Sequence, residues 1–175
     1  MKEGALQAYS SQRVGIFVDV QNLYHSAKNL YHGRVNYQEL IKTLVRGRQL
    51  IRSMAYVVKS DAAEGETAFF EALEKAGLEL RMKDLQVYAD GFKKADWDVG
   101  MAVDAIRMAS FLDVVILVTG DGDFIPLVDY LKWGMGRLVE VSAFERSASG
   151  KLKEVADEFR SLEEMPRVIQ RGRAR

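Results

Sequence analysis

The chain has no cysteine. That removes disulfides, thiolate-ligated zinc and a thiol nucleophile from its chemistry. Two histidines, His25 and His32, are too few for a zinc site built on imidazoles, and neither is preceded by the nucleophile elbow of a serine hydrolase. Net charge is missing as well. Lysine plus arginine (25) equals aspartate plus glutamate (25), so nucleic-acid binding has to come from local patches and not from a global field. No apolar run is long enough for a membrane span, and the N-terminus lacks the charged-then-apolar order of a secretory signal, which makes the cytoplasm the expected location. A lysine-bearing phosphate loop is absent, and Asp19-Val20-Gln21-Asn22 stands where a dinucleotide-binding chain has its glycine-rich turn. No internal repeat is visible. What remains, 175 residues, fits one domain with a central sheet covered by helices.

Two apolar runs dominate that domain. Val114–Val118 reads Val-Val-Ile-Leu-Val, the pattern of a strand buried on both faces, and runs into Thr119-Gly120-Asp121-Gly122-Asp123 before a helix. Arg13–Val18 is a second such run, ending at Asp19. Between them, Asn36 followed by Glu39 resembles a capping box ahead of Leu40, Ile41, Leu44 and Val45. Leu50–Val58 reads as a strand, 64–76 as a helix stopped by Gly77, and Leu78–Met82 alternates like an edge strand. Lys83–Ala95 is a polar loop or short hairpin. A long helix follows to about Phe111, with Asp96 expected at its N-cap and Asp98 in its first turn. Arg137–Val141 alternates, again suggesting an edge, and Leu152, Val155, Ala156 and Phe159 have the spacing of a final amphipathic helix. Residues 1–12 are expected to be a disordered leader, 13–163 the folded domain, and 164–175, with four arginines from Arg167 on, a disordered basic tail.

Alternating strands and helices imply crossover units and a mostly parallel sheet with helices on both faces. Counting the five expected strands along the chain, the favoured order is 3-2-1-4-5. The carboxyl ends of the first and fourth strands then meet at the topological switch point, where such sheets bind ligands. Asp19 and Asp121 arrive there, and Asp98 heads a helix that starts near the same edge. Carboxylates at the mouth of buried strands need partners, and a divalent cation is one. Asp123 alone is equally well read as a helix N-cap with the glycines as turn punctuation. Asp104 is six residues beyond Asp98 and about 120° round the helix, which favours an ordinary charged helix face over a place in the site.

The blocks Val-Gly-Ile-Phe-Val-Asp-Val-Gln-Asn (14–22), Asp-Trp-Asp-Val-Gly-Met-Ala-Val-Asp (96–104) and Val-Thr-Gly-Asp-Gly-Asp-Phe (118–124) resemble the signature blocks of the NYN domain family, and more narrowly its LabA-like branch within the PIN-like nuclease superfamily. The resemblance spans roughly Arg13 to Leu162. It implies a three-layer α/β fold of PIN-like, Rossmannoid type and a metal-dependent ribonuclease site. Its acids fall on Asp19, Asp98, Asp121 and Asp123 as catalytic and metal-binding residues, with Asn22 and Thr119 in support; Asp104, from its place on the helix, is a weaker supporting candidate.

Oxygen ligands without histidine or cysteine suit Mg²⁺ or Mn²⁺. Such an ion activates water for in-line attack on a phosphodiester and neutralises charge on its oxygens. RNA is the expected partner. Since carboxylates repel it, cations must hold the backbone further out; Lys93, Lys94, Lys28 and Arg34 are candidates, with Trp97, Phe92 or Tyr24 for base stacking. Each of these, taken singly, is better explained by a solvated surface or core packing. A non-catalytic module binding RNA or a protein partner is the main alternative. A haloacid dehalogenase-like phosphatase or a toprim-type enzyme fits less well, lacking an acid at Gln21 and a glutamate at Asp19 respectively. A homo-oligomer is left open.

Overall fold

A computed structural model of the chain describes residues 6–59, 65–87, 89, 93–94 and 96–172, with the backbone alone at 86–87 and 93–94. In chain order the elements are β1 (Arg13–Asp19), α1 (Val20–Tyr31), β2 (Gly33–Val35), α2 (Tyr37–Val45), β3 (Gln49–Lys59), α3 (Glu66–Lys75), β4 (Glu79–Asp84), β5 (Gln86–Val87), β6 (Lys93–Lys94) and α4 (Asp98–Ala109). Then come β7 (Val114–Val118), α5 (Ile125–Asp129), β8 (Leu138–Ala143), α6 (Gly150–Val155), β9 (Glu158–Ser161) and β10 (Ile169–Arg171).

Six strands form one sheet in the order β4-β3-β1-β7-β8-β9, and every neighbouring pair is parallel. The five expected strands stand in the expected order. Burial explains which are central: Val114–Val118 is buried throughout, and Val14–Val18 likewise. Side chains of these strands alternate between two cores. Ile16, Val18, Ile116 and Val118 pack with Leu23 of α1, Leu40 and Leu44 of α2 and Leu73 of α3. Phe17, Val115 and Leu117 face the other way, toward Met101 and Ala105 of α4, Leu127 and Val128 of α5 and Leu152 of α6. The result is a three-layer α/β fold. No helix among the described residues is long and apolar enough to cross a membrane.

Local expectations hold in part. Asn36 caps α2, its Oδ1 accepting the Glu39 backbone N–H at 3.2 Å. β4 is an edge strand, and β5 and β6 form the short antiparallel hairpin expected within 83–95.

Five expectations need correction. The final helix stops at Val155, and Ala156 turns the chain into β9, so β8 is not an edge. Leu152, Val155, Ala156 and Phe159 still face one core, because their spacing serves a short helix followed by extended chain as well as one helix. The long helix starts at Asp98 with Trp97 at the cap position, not Asp96. The basic tail is not wholly loose: Val168 is fully buried, and β10 pairs antiparallel with β2. Val168 and Ile169, set between arginines, supply the anchor that the charge run concealed. Residues 173–175 lie outside the described set. The leader, described from residue 6, is tied at its end, since Gln12 C=O accepts the Gln49 N–H at 3.0 Å.

The opposite fringe of the sheet carries buried charge. Glu140 on β8 accepts hydrogen bonds from Arg48 and Arg46, and Arg46 also donates to Glu158 on β9. The side chains of Arg48 and Glu140 are 1% and 3% exposed. Removing one partner of such a set leaves an uncompensated buried charge. Glu140→Gln is therefore expected to cost about 3–5 kcal/mol in urea unfolding. Arg52→Met, at the exposed pair with Glu79, should shift stability by less than about 1 kcal/mol; equal costs would contradict this account.

Candidate metal and active site

The carboxyl ends of β1 and β7 lie side by side, Val18 paired with Val118, so the residues after each strand meet. Asp19 ends β1 and caps α1, its Oδ1 accepting the Asn22 N–H at 3.1 Å. Its Oδ2 accepts from the Thr119 hydroxyl at 3.0 Å. Thr119, fully buried, accepts in turn from the Asp121 N–H, and Asp121 Oδ1 accepts from the Asp123 N–H at 2.9 Å. Asn22 Oδ1 accepts the Gly120 N–H at 3.0 Å. A ladder of short-range polar contacts thus clamps the loop after β7 to the head of α1.

The loop's other flank needs glycine for space. A Cβ on Gly120 would stand 3.0 Å from the Ala148 backbone, and Gly120 C=O accepts the Ser149 N–H at 2.9 Å. The third contributor, Asp98, is positioned from β3. The Trp97 indole N–H donates to Val57 C=O at 2.8 Å and its ring meets Tyr56 edge-on, while a Cβ on Gly100 would collide with that ring. Trp97 therefore pins the start of α4.

These constraints bring one carboxylate oxygen from each of Asp98, Asp121 and Asp123 within 4.8 Å of one another. Oxygens on opposite sides of a single hard cation stand about 4–5 Å apart, so the three fit around one ion. Asp19 lies outside that group, both of its oxygens already accepting hydrogen bonds, although its charge is felt there. Burial, and then the charges of Asp19, Asp121, Asp96 and Asp123, push Asp98 up to about 6. Burial raises Asp19 too, against the Asn22 and Thr119 hydrogen bonds, and Asp121 adds to the rise. The donor set is all hard oxygen and makes no ion pair among the described residues, which suits a divalent cation.

Other candidates stand elsewhere. Asp104 is buried, accepts from the Tyr56 hydroxyl at 2.9 Å and pairs with Arg81 at 3.2 Å, so it braces α4 against β3 and β4. Lys28 is exposed on α1 with its ammonium 5.9 Å from the Tyr24 ring centroid. Arg34 is exposed on β2. The side chains of Lys93 and Lys94 lie outside the described residues, as does Phe92. Missing from the sequence reading is a cleft beside the acids, between α4 and the segment from Asp123 to Tyr130. Its signal was present: Val99, Val103 and Ile106 fall off the core stripe of α4 and are exposed.

The raised Asp98 has a sign that can be measured. Its folded-state pKa, about 6, exceeds the ordinary value of about 4. Between those values the folded chain holds more proton than the unfolded one, so this group's contribution to stability falls as pH rises through the window. In chelator, Asp98→Asn should match the parent near pH 4 and become progressively more stable than it toward pH 7. A difference in urea midpoint that is flat or shrinks over that range would contradict the assignment.

Comparison with known proteins agrees with this architecture. A protein of unknown function from Vibrio parahaemolyticus has a crystal structure that superposes with a TM-score of 0.85 at 30% identity, covering 94% of this chain and 100% of that one. The low amplitude and bright protein LabA of Synechococcus elongatus is 21% identical over 173 residues, 94% of this chain and 91% of the relative. The NYN domain profile matches residues 13–163, which takes in β1, α4, the loop after β7 and all the acids described above. The chain belongs to the NYN domain family.

Proposed function

We propose that the protein is a metal-dependent ribonuclease that hydrolyses phosphodiester bonds of RNA at the Asp98–Asp121–Asp123 group. The observation that carries this reading is the convergence of those three carboxylates at the sheet's switch point with Asp98 pushed up to about 6. Groups so perturbed, in a cleft, mark functional sites more often than structural ones. Membership of the NYN family supports RNA as the substrate class and a divalent ion as the cofactor.

Asp98, Asp121 and Asp123 would hold Mg²⁺ or Mn²⁺ in this reading. When bound, such an ion neutralises charge on the phosphate oxygens and lowers the pKa of water. The chain's own residues prepare the place. Asp19 acts as a positioning residue: through Thr119 it fixes the backbone at Asp121, and it adds negative charge that strengthens cation binding. Asn22 locks Gly120 and with it the turn that carries Asp121. Trp97 holds the first turn of α4 so that Asp98 meets the other two. Asp123, the exposed member, is the most open of the three to solvent.

Asp121→Asn is expected to reduce Mn²⁺-dependent cleavage of single-stranded RNA to background, a loss of at least about 100-fold, with an unchanged circular dichroism spectrum. Cleavage that persists in the purified variant would refute the assignment. Calorimetric Mn²⁺ binding by the parent without any cleavage would favour the alternative of a non-catalytic module that binds RNA or a protein partner.

A further inference from the structure

The cleft next to the acid group holds no cation among the residues that line it. Val99, Ala102 and Ile106 of α4 form one wall, and Phe124, Leu127 and Tyr130 the other. Asp98 and Asp123, two of the three grouped carboxylates, line the same space. The cleft therefore opens directly off the acids. It measures about 490 Å³, within the range of small-molecule sites, roughly 300–1,000 Å³. From Asp98 to Ile106 is eight residues of helix, on the order of 12 Å, about the reach of one nucleotide from its phosphate to the far edge of its base.

Two features suit a flat, uncharged ring. The Tyr130 ring is half exposed and lies against Gly134, where a Cβ would stand 3.0 Å from its Cδ2; the glycine lets the ring settle on the turn and leaves it open on the cleft side. Asp96 joins Asp98 and Asp123 at the acid end; beyond them the α4 wall, Val99, Ala102 and Ile106, is aliphatic carbon, with Val99 75% exposed, an apolar surface of the kind that marks a binding site. A phosphate has no partner there. A base does.

We propose that this cleft is a nucleobase subsite: it takes the base of the nucleotide whose phosphate meets the Asp98–Asp121–Asp123 group, stacked on Tyr130, and so selects unpaired strands over duplex. This rests on the ribonuclease reading above. It adds that a single nucleotide is shared between two chemistries, its anionic half at the acids with their cation and its apolar half between α4 and Tyr130. A paired base, stacked within a helix, cannot enter without being pulled out of it.

The test uses the full chain with Mn²⁺ and two single-stranded RNA oligomers of one cleavage site, identical except that one carries an abasic ribose next to the scissile bond. The parent is expected to cleave the intact strand on the order of ten-fold more efficiently than the abasic one. Tyr130→Ala should lose that preference through a raised KM, Tyr130→Phe should restore it, and Ala102→Trp, which fills the cleft, should behave like Tyr130→Ala. Because Tyr130 is on the surface, its variants are expected to fold. Cleavage of both strands at equal rates by the parent would overturn the subsite while leaving the ribonuclease reading standing; no cleavage of either would overturn the ribonuclease reading, and this inference with it. Self-association of the parent in analytical ultracentrifugation that Tyr130→Ala abolishes would assign the cleft to a second copy of the chain and overturn the inference.

Discussion

The constraint on which the site depends is the parallel pairing of β1 with β7. Nearly a hundred residues separate the two strands in the chain, yet their registered backbones end together. Everything beyond those ends is then a matter of a few ångströms: a threonine hydroxyl within reach of one acid, an asparagine carbonyl within reach of a glycine N–H. Parallel strands with both faces covered leave their carboxyl edge as the place where side chains of different elements converge without backbone competing for them. The two central strands can stay apolar along their buried lengths because the polar contacts that follow them are gathered at that edge.

Confinement has an electrostatic consequence. Asp19, Asp98, Asp121 and Asp123 repel one another, and burial of Asp98 makes its charge still less favourable. A fold does not gather like charges for stability. The hydrogen bonds to Asp19 and Asp121 are what hold the arrangement against that repulsion, since each fixes a carboxylate or the backbone beside it in a single pose. The acids are thus preorganised, and the strain of assembling them is met by the folding of the rest of the domain.

Much of this was readable from residues alone, for identifiable reasons. Val114–Val118 and Arg13–Val18 have a continuous apolar pattern that only a doubly covered strand tolerates, and the crossover rule then sets them as neighbours. Asp19, Asp98 and Asp121 could be sent to one edge on that basis. Where their oxygens fall could not, because Asp19 Oδ2 is held by a 3.0 Å contact with Thr119 that no spacing encodes. Trp97 looked available for stacking, and its indole turned out to be bonded to β3, a tertiary partner 40 residues away. Tyr130 gives no signal in the sequence, since a lone tyrosine after a polar residue carries no period. β9 was hidden by Leu152, Val155, Ala156 and Phe159, whose helical spacing also fits a short helix running into a strand. The arginine-rich end concealed Val168 in the same way, charge density outweighing two apolar residues in any windowed reading.

The ion pairs on β8 and β9 bear on how the sheet ends. Glu140 and Glu158 are direct cross-strand partners, an opposition that is unfavourable unless a cation lies between them, and Arg46 bonds to both. β9 is only four residues long, Glu-Phe-Arg-Ser, too short for its apolar content to choose a register. The Arg46 guanidinium bridges the two carboxylates in this alignment, together with the Val139 N–H bonded to Asp157 and the Ser142 hydroxyl bonded to Arg160 C=O. With the last strand so aligned, Val139 and Val141 are covered by the chain's own segment, and the edge that β8 would otherwise offer to a strand of another molecule is closed.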